Sequence, residues 1–261
     1  MIESLHSPHI ARVKALIGSK GAKERREQGL FVAEGVQCTR EALISDNGPE
    51  LKIIYATEQG LSKIAELDLA AAEIIEVSEP VLKAMSDTVS PQGLISLCYM
   101  PDNDISELTL TGRSTLIYLH EIQDPGNAGT ILRTADAMGI TAVITSPNSV
   151  DMFSPKVVRS TAGSLWSIPV YEGVQFHALD SIFPGVQKIL LSSHASTSIL
   201  DLKIPGDCIA VFGNEARGLS ATALGTEVTE VTIPMAGNAE SLNLSAAASI
   251  VMFTLSSKVA G

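Results

Sequence analysis

Two short runs, Leu116-Ile117-Tyr118-Leu119 and Ile209-Ala210-Val211-Phe212, are apolar at every position. A strand with one wet face alternates apolar and polar side chains. An unbroken apolar run belongs to a strand covered on both faces, as in parallel sheets flanked by helices. From Ser114 onward the same style continues. Strands are expected at 115–119, 142–145, 168–170, 189–192, 208–212 and 228–233. Helices are expected at 128–138, 155–163, 175–183, 221–224 and 243–257.

The first hundred residues carry a smaller α/β pattern. Ser7-Pro8 followed by Ile10, Val13, Leu16 and Ile17 predicts an amphipathic helix with Arg12 and Lys14 on its wet side. A basic turn over 20–26 follows, then a strand at 31–33 and a helix from Glu34-Gly35 to about Ser45. Strands at 51–56, 73–77 and 93–99 alternate with helices at 62–72 and 78–85. Residues 100–112 are polar and contain Pro101, which reads as a linker. The expected organisation is therefore a first domain over 1–100, a linker over 101–112 and a second domain over 113–261.

Composition bounds the function. The chain has 261 residues, 45% of them apolar and 18% charged, which suits a globular protein with a sizeable core. A net charge of −11 argues against indiscriminate binding of polyanions. The charge is uneven, however. Residues 1–40 hold seven basic groups against four acidic ones, which leaves −14 for the rest. That basic stretch is either a solvated helix and turn or a local face for phosphates. Cys38, Cys98 and Cys208 are widely separated, with neither metal-ligand spacing nor an even disulfide set. Buried free thiols in a reducing compartment are expected, no metal site is, and no apolar run is long enough to span a membrane.

Three strand-to-helix turns carry the chemistry. In Asp124-Pro125-Gly126-Asn127-Ala128-Gly129, Asn127 can cap a helix whose first turn leaves backbone N–H groups free for an anion, and Arg133 lies about two turns in. In Phe212-Gly213-Asn214-Glu215-Ala216-Arg217-Gly218-Leu219-Ser220, a buried strand ends in a charged turn and Ser220 can cap the next helix. The run 233–249 joins a strand, broken by Pro234, to a helix lined with Ala246, Ala247 and Ala248 through the small-residue loop of Gly237, Asn238, Glu240 and Ser241. Each alone is an ordinary connection. The GxGxxG fingerprint and a Walker A lysine are absent, which weakens dinucleotide and P-loop readings.

In this order the three turns resemble the motifs of the SpoU (TrmH-type) RNA 2′-O-ribose methyltransferases of the SPOUT superfamily. The residues concerned are Asn127, Gly129 and Arg133, then Gly213-Asn214-Glu215 with Gly218-Leu219-Ser220, then Ile233-Pro234-Met235 with Ser241-Leu242-Asn243-Leu244-Ser245 and Ala247. Ser154-Pro155-Lys156-Val157-Val158-Arg159 with Ala162 to Trp166 is similar to the family's middle region. Residues 5–43 look like the substrate-binding domain that many members carry. Ala216 stands where members often have glycine.

The resemblance implies a C-terminal, trefoil-knotted, mostly parallel sheet flanked by helices, preceded by a small L30e-like α/β sandwich. It implies transfer of a methyl group from S-adenosylmethionine to a ribose 2′-hydroxyl of ribosomal or transfer RNA by a cytoplasmic homodimer. The cofactor would touch Ser192, Ser193, Gly213, Asn214, Ile233, Met235, Leu242 and Ala247. Arg133, Asn127, Glu215, Ser241 and Asn243 would be the catalytic set. Arg12, Lys20, Lys23, Arg25 and Arg26 would contact RNA phosphates. A non-catalytic RNA-binding paralogue of the same fold is the alternative, and a dinucleotide-using α/β enzyme is the more distant one.

Overall fold

The computed structural model describes residues 1–70, 72–214, 217–239 and 241–259. In chain order the regular elements are α1 (Pro8–Ile17), α2 (Gly21–Gln28), β1 (Leu30–Glu34), α3 (Val36–Ile44), β2 (Leu51–Ala56), α4 (Glu58–Ser62), β3 (Glu73–Glu76), α5 (Glu79–Met85) and β4 (Leu94–Tyr99). After a 3₁₀ turn at Ile105–Glu107 come β5 (Thr115–Leu119), α6 (Pro125–Ala137), β6 (Ala142–Thr145), α7 (Pro155–Thr161) and β7 (Val170–Tyr171). The chain continues with α8 (Ala178–Ile182), β8 (Gln187–Leu191), β9 (Cys208–Phe212), α9 (Ala221–Leu224), β10 (Thr229–Val231) and α10 (Leu244–Val259). No helix among the described residues is long and apolar enough to cross a membrane.

Two compact units result. The first comprises Met1–Asp102 with Asp151–Ser167, and the second Asn103–Val150 with Ile168–Gly261. In the first unit four strands run in the order β1-β4-β2-β3, antiparallel except for the β2–β3 pair. Helix α1 starts where Ser7 accepts a hydrogen bond from the His9 N–H and Pro8 supplies a pre-set φ. It buries Ile10, Val13 and Leu16 against Leu30, Val32, Tyr55 and Leu97. Full burial of each such side chain contributes roughly 1.5–3 kcal/mol. The start of α4 lies so close to the start of β4 that a Cβ on Gly60 would sit 2.0 Å from the Gly93 carbonyl oxygen.

Three local expectations are corrected. The basic stretch expected as a turn is helical from Gly21 onward, with Lys20 at the cap position of α2, which Gly29 closes in the left-handed region at φ 62°. Among the described residues of 62–72, only Ser62 is helical, as the last residue of α4. Thr57 caps α4 and starts it earlier, while further on the Asp68 side chain takes the Ala70 N–H into a turn. Helix α6 is capped by Asp124, whose carboxylate accepts from the Asn127 N–H at 2.7 Å, rather than by Asn127.

Residues 151–167, expected in the second domain, cluster with the first unit for a clear physical reason. Phe31 is fully buried, with the Phe153 ring 5.2 Å away and the Trp166 ring 6.0 Å away. The Trp166 indole donates to the Pro49 carbonyl at 3.0 Å, and the Ser45 hydroxyl donates to the Trp166 carbonyl at 2.7 Å. Arg25, expected on an RNA-facing surface, is only 4% exposed. Its guanidinium bonds the Asp151 carboxylate at 2.6 and 3.2 Å and also donates to the Leu16 carbonyl. It is engaged internally and not available to a phosphate. Glu34 is buried as well, accepting from Ser86, Thr88 and the Asp87 N–H, with Arg159 3.5 Å away.

In the second unit six strands run parallel throughout, in the order β10-β8-β9-β5-β6-β7. The unbroken apolar runs form β5 and β9, the central pair, with Leu116 beside Ile209 and Leu119 beside Phe212. From β5 the chain builds outward through β6 and β7, then crosses to the other side for β8, β9 and β10. The carboxyl ends of β5 and β9 therefore lie at a topological switch point, where open α/β sheets place their ligands. All three cysteines are free and buried, and burial pushes the Cys38 thiol up to about 11.

The buried Arg25–Asp151 pair yields a stability test. Arg25→Ala leaves the Asp151 carboxylate without its partner, and the first unit is expected to lose about 3 kcal/mol. The pair variant Arg25→Met with Asp151→Leu should regain most of it. Urea unfolding read by fluorescence of Trp166, the one tryptophan, measures both; a wild-type midpoint for Arg25→Ala would contradict this account.

Candidate functional site

The loops leaving β8, β9 and β10 converge at the carboxyl edge of the parallel sheet, beside the first turns of α6 and α10. Between them lies a cavity of about 330 Å³. Its apolar lining comes from Leu191, Phe212, Leu219, Ile233, Met235, Leu242, Leu244 and Ala247. Polar groups enter from Asn127, Ser192, Ser193, Asn214, Thr232, Ser241 and Asn243, and Gly213 and Gly218 add backbone surface. Mostly apolar walls with a few convergent polar groups make a small-molecule site.

Each wall has a local cause. Asn243 caps α10: its side-chain oxygen accepts from the Ser245 N–H at 2.9 Å, the Ser245 hydroxyl at 2.6 Å and the Ala246 N–H at 3.3 Å. That fixes the amide, and its NH₂ group donates to the Asn127 side-chain oxygen at 3.1 Å. The first turns of α6 and α10 are thereby tied together, while α6 packs along α10. Across the cavity, the Asn214 amide donates to the Glu121 carbonyl at 2.8 Å and accepts from the Arg217 N–H at 3.1 Å. The Gly218 N–H bonds the Asn214 carbonyl at 2.8 Å, which folds the loop back on itself. A Cβ on Gly213 would meet the Leu219 Cβ at 2.5 Å and the Leu219 nitrogen at 2.7 Å, so only glycine allows this turn.

The eight residues expected to touch a cofactor all line this one cavity, as do Asn127, Ser241 and Asn243. Glu215 lies outside the described residues. Arg133 is not in the cavity lining; it projects from α6 as an exposed side chain. In the first unit Arg12, Lys20, Lys23 and Arg26 are exposed, with Lys23 3.5 Å from Glu27, and Arg25 is the buried exception. Thr232 and Leu219 also line the cavity and were missed from sequence. Their signal was positional, since Thr232 lies inside the strand expected at 228–233 and Leu219 inside the turn of 212–220.

The lining fits a bent adenosyl group. Apolar side chains on two sides can sandwich a purine, the glycine turn lets backbone approach, and hydroxyl and amide groups are placed for ribose and amino-acid polar atoms. Residues 114–253, more than half the chain, match the SpoU rRNA Methylase family. The chain belongs to that family. Residues 8–96 match the MRM3-like substrate binding domain, so this SpoU protein carries the accessory domain ahead of its methylase segment.

Relatives agree. The SpoU chain is 30% identical over 234 residues to the 23S rRNA (guanosine(2553)-2′-O)-methyltransferase RlmP of Bacillus subtilis, covering 89% of this chain and 91% of RlmP. Among solved structures it is similar to an AdoMet-bound rRNA methyltransferase from Sinorhizobium meliloti. That match has 28% identity and TM-score 0.83, over 97% of this chain and 96% of the other. An RNA 2′-O ribose methyltransferase structure matches at 31% identity and TM-score 0.81, over 98% of both chains.

Proposed function

We propose that the protein is a cytoplasmic RNA 2′-O-ribose methyltransferase that uses S-adenosylmethionine, with ribosomal RNA as its favoured substrate class. The observation that supports this most is the convergence of the three loop motifs on a single cavity with the Asn127–Asn243 link at its edge. The relatives' names and the accessory domain point to the same substrate class.

Bound in that cavity, the cofactor supplies an electrophilic methyl group on a sulfonium. The protein's task is to bring a weak alcohol nucleophile into line and to assist proton loss. Backbone at Gly213, Ile233 and Met235 would take the adenine, with Leu242 and Ala247 against it and Ser192, Ser193 and Asn214 near its polar atoms. Asn127, Ser241 and Asn243 would orient the hydroxyl or the loops, and Glu215 is assigned to the same task. Arginine is a poor base, with a pKa above about 12. Arg133 is therefore assigned to holding an RNA phosphate and stabilising developing alkoxide charge.

An exposed Arg133 outside the cavity of its own chain is consistent with a homodimer, as are two exposed apolar residues one turn apart on α10. Ile250 is 40% and Phe253 62% exposed. Threading of the last helix through a knot is part of the same proposal. Phe253→Asp is expected to shift sedimentation from dimer to monomer; an unchanged dimer would remove α10 from the interface.

Arg133→Ala is expected to abolish methyl transfer while S-adenosylmethionine still binds. Labelled methyl transfer to hypomethylated ribosomal RNA, beside calorimetric titration of the cofactor, checks this. Wild-type turnover by the variant would reject the assignment, and no transfer by the wild type would favour the non-catalytic paralogue. Arg12, Lys20, Lys23 and Arg26 are proposed as phosphate contacts. Neutralising all four should weaken RNA binding and flatten its dependence on log salt, by about 0.7 for each phosphate no longer neutralised on a single strand. An unchanged slope would return them to a merely solvated face.

A further inference from the structure

A second cavity, of about 480 Å³, lies directly beside the first. The two share Leu191, Ser192, Ser193, Asn214, Gly218 and Leu219 in their linings, so they adjoin along one side. The second cavity's other residues differ in kind: beside Ala223, His120, Glu121, His194, Arg217 and Ser220 replace most of the apolar side chains of the first. Resting on the methyltransferase reading above, we infer that this second cavity receives the base and phosphate of the RNA nucleotide that is methylated.

Geometry supplies the first argument. In-line transfer requires the acceptor oxygen within about 3–3.5 Å of the methyl carbon. A nucleotide held for attack must therefore occupy space that adjoins the cofactor cavity, and the second cavity does so along the shared lining.

Lining chemistry supplies the second. Unstacked RNA bases are held on imidazole and guanidinium planes and read along their polar edges. Two imidazoles, a guanidinium and a hydroxyl are that set of groups, gathered on a protein whose net charge is −11. Glu121 does not oppose a phosphate as an isolated anion, because Arg217 pairs with it at 2.9 Å. Arginine can hold a carboxylate and a phosphate on different edges of its fork.

His120 supplies the third. Its backbone N–H is fixed to the Phe212 carbonyl at 2.8 Å, and its ring lies 6.3 Å from that of Tyr118. Its Nδ1 is nevertheless buried without a hydrogen-bond partner among the described residues. Buried polar atoms are normally satisfied, and an orphan beside a polar cavity is what a site completed by its ligand leaves behind.

His194 and Arg217 are exposed, so His194→Ala and Arg217→Met should fold normally. Each variant is assayed for S-adenosylmethionine affinity by calorimetry and for kcat/KM toward ribosomal RNA from cells lacking the gene. Cofactor affinity is expected to stay within about twofold, while kcat/KM for RNA falls about tenfold per variant, the equivalent of one charge-assisted contact. Lost cofactor affinity in proportion to lost activity would overturn the inference and give the cavity to the amino-acid end of the cofactor. Wild-type values in both assays would overturn it as well. Failure of the wild type to methylate any RNA is a different result, because it removes the underlying reading and this inference with it.

Discussion

The Asn243 amide is the contact on which the site depends. Its oxygen takes three donors from the first turn of α10, which leaves its NH₂ group with one direction, toward Asn127 at the start of α6. A serine or aspartate could cap the helix equally well, but neither has an NH₂ group to give. One side chain thus starts a helix, joins it to a second one and sets the edge of the ligand cavity. The sheet beneath makes this possible. Six parallel strands deliver their loops to the same edge, and the order of the strands puts β5 beside β9 there.

The first unit is built on a different principle. Its sheet is short and mixed, and its core is completed by a segment from far along the chain. Phe31 packs against the tilted rings of Phe153 and Trp166, and the charge of Arg25 is matched by Asp151. Hydrophobic burial supplies most of the attachment, while the ion pair and the Trp166 indole bond fix its register. Local charge and local function accordingly part company in α2. Of its basic residues, Arg25 works inward and Lys23 and Arg26 outward.

How much was legible in the sequence follows from these two principles. Strands β2, β5, β6 and β9 stand at the residues expected, because short, predominantly apolar runs bounded by polar turns admit few alternatives. Many of the cavity-lining residues were legible through motif order, since the motifs sit where parallel strands end. Side-chain competition was not legible. Asp124 outcompetes Asn127 for the cap, and Asp68 draws the backbone into a turn where apolar spacing suggested helix. The burial of Arg25 depends on a partner 126 residues away, and no local pattern announces it. The polar second cavity was equally hidden, because His120 and His194 are 74 positions apart and meet only through the strand order.

The long return of residues 151–167 also bears on how the chain is made. Synthesis delivers β1 to β4 first, yet Phe31 has no aromatic cover and Arg25 no counter-charge until Asp151 to Trp166 have emerged. Domains ordinarily fold in the order in which they leave the ribosome. Here the earlier unit must wait for a stretch embedded in the later one, with the high contact order that slows folding. For as long as that wait lasts, an aromatic surface and an unmatched cation face the solvent, and a nascent chain in that state is a natural client for chaperones. An N-terminal fragment ending at Asp102 would remain in it permanently.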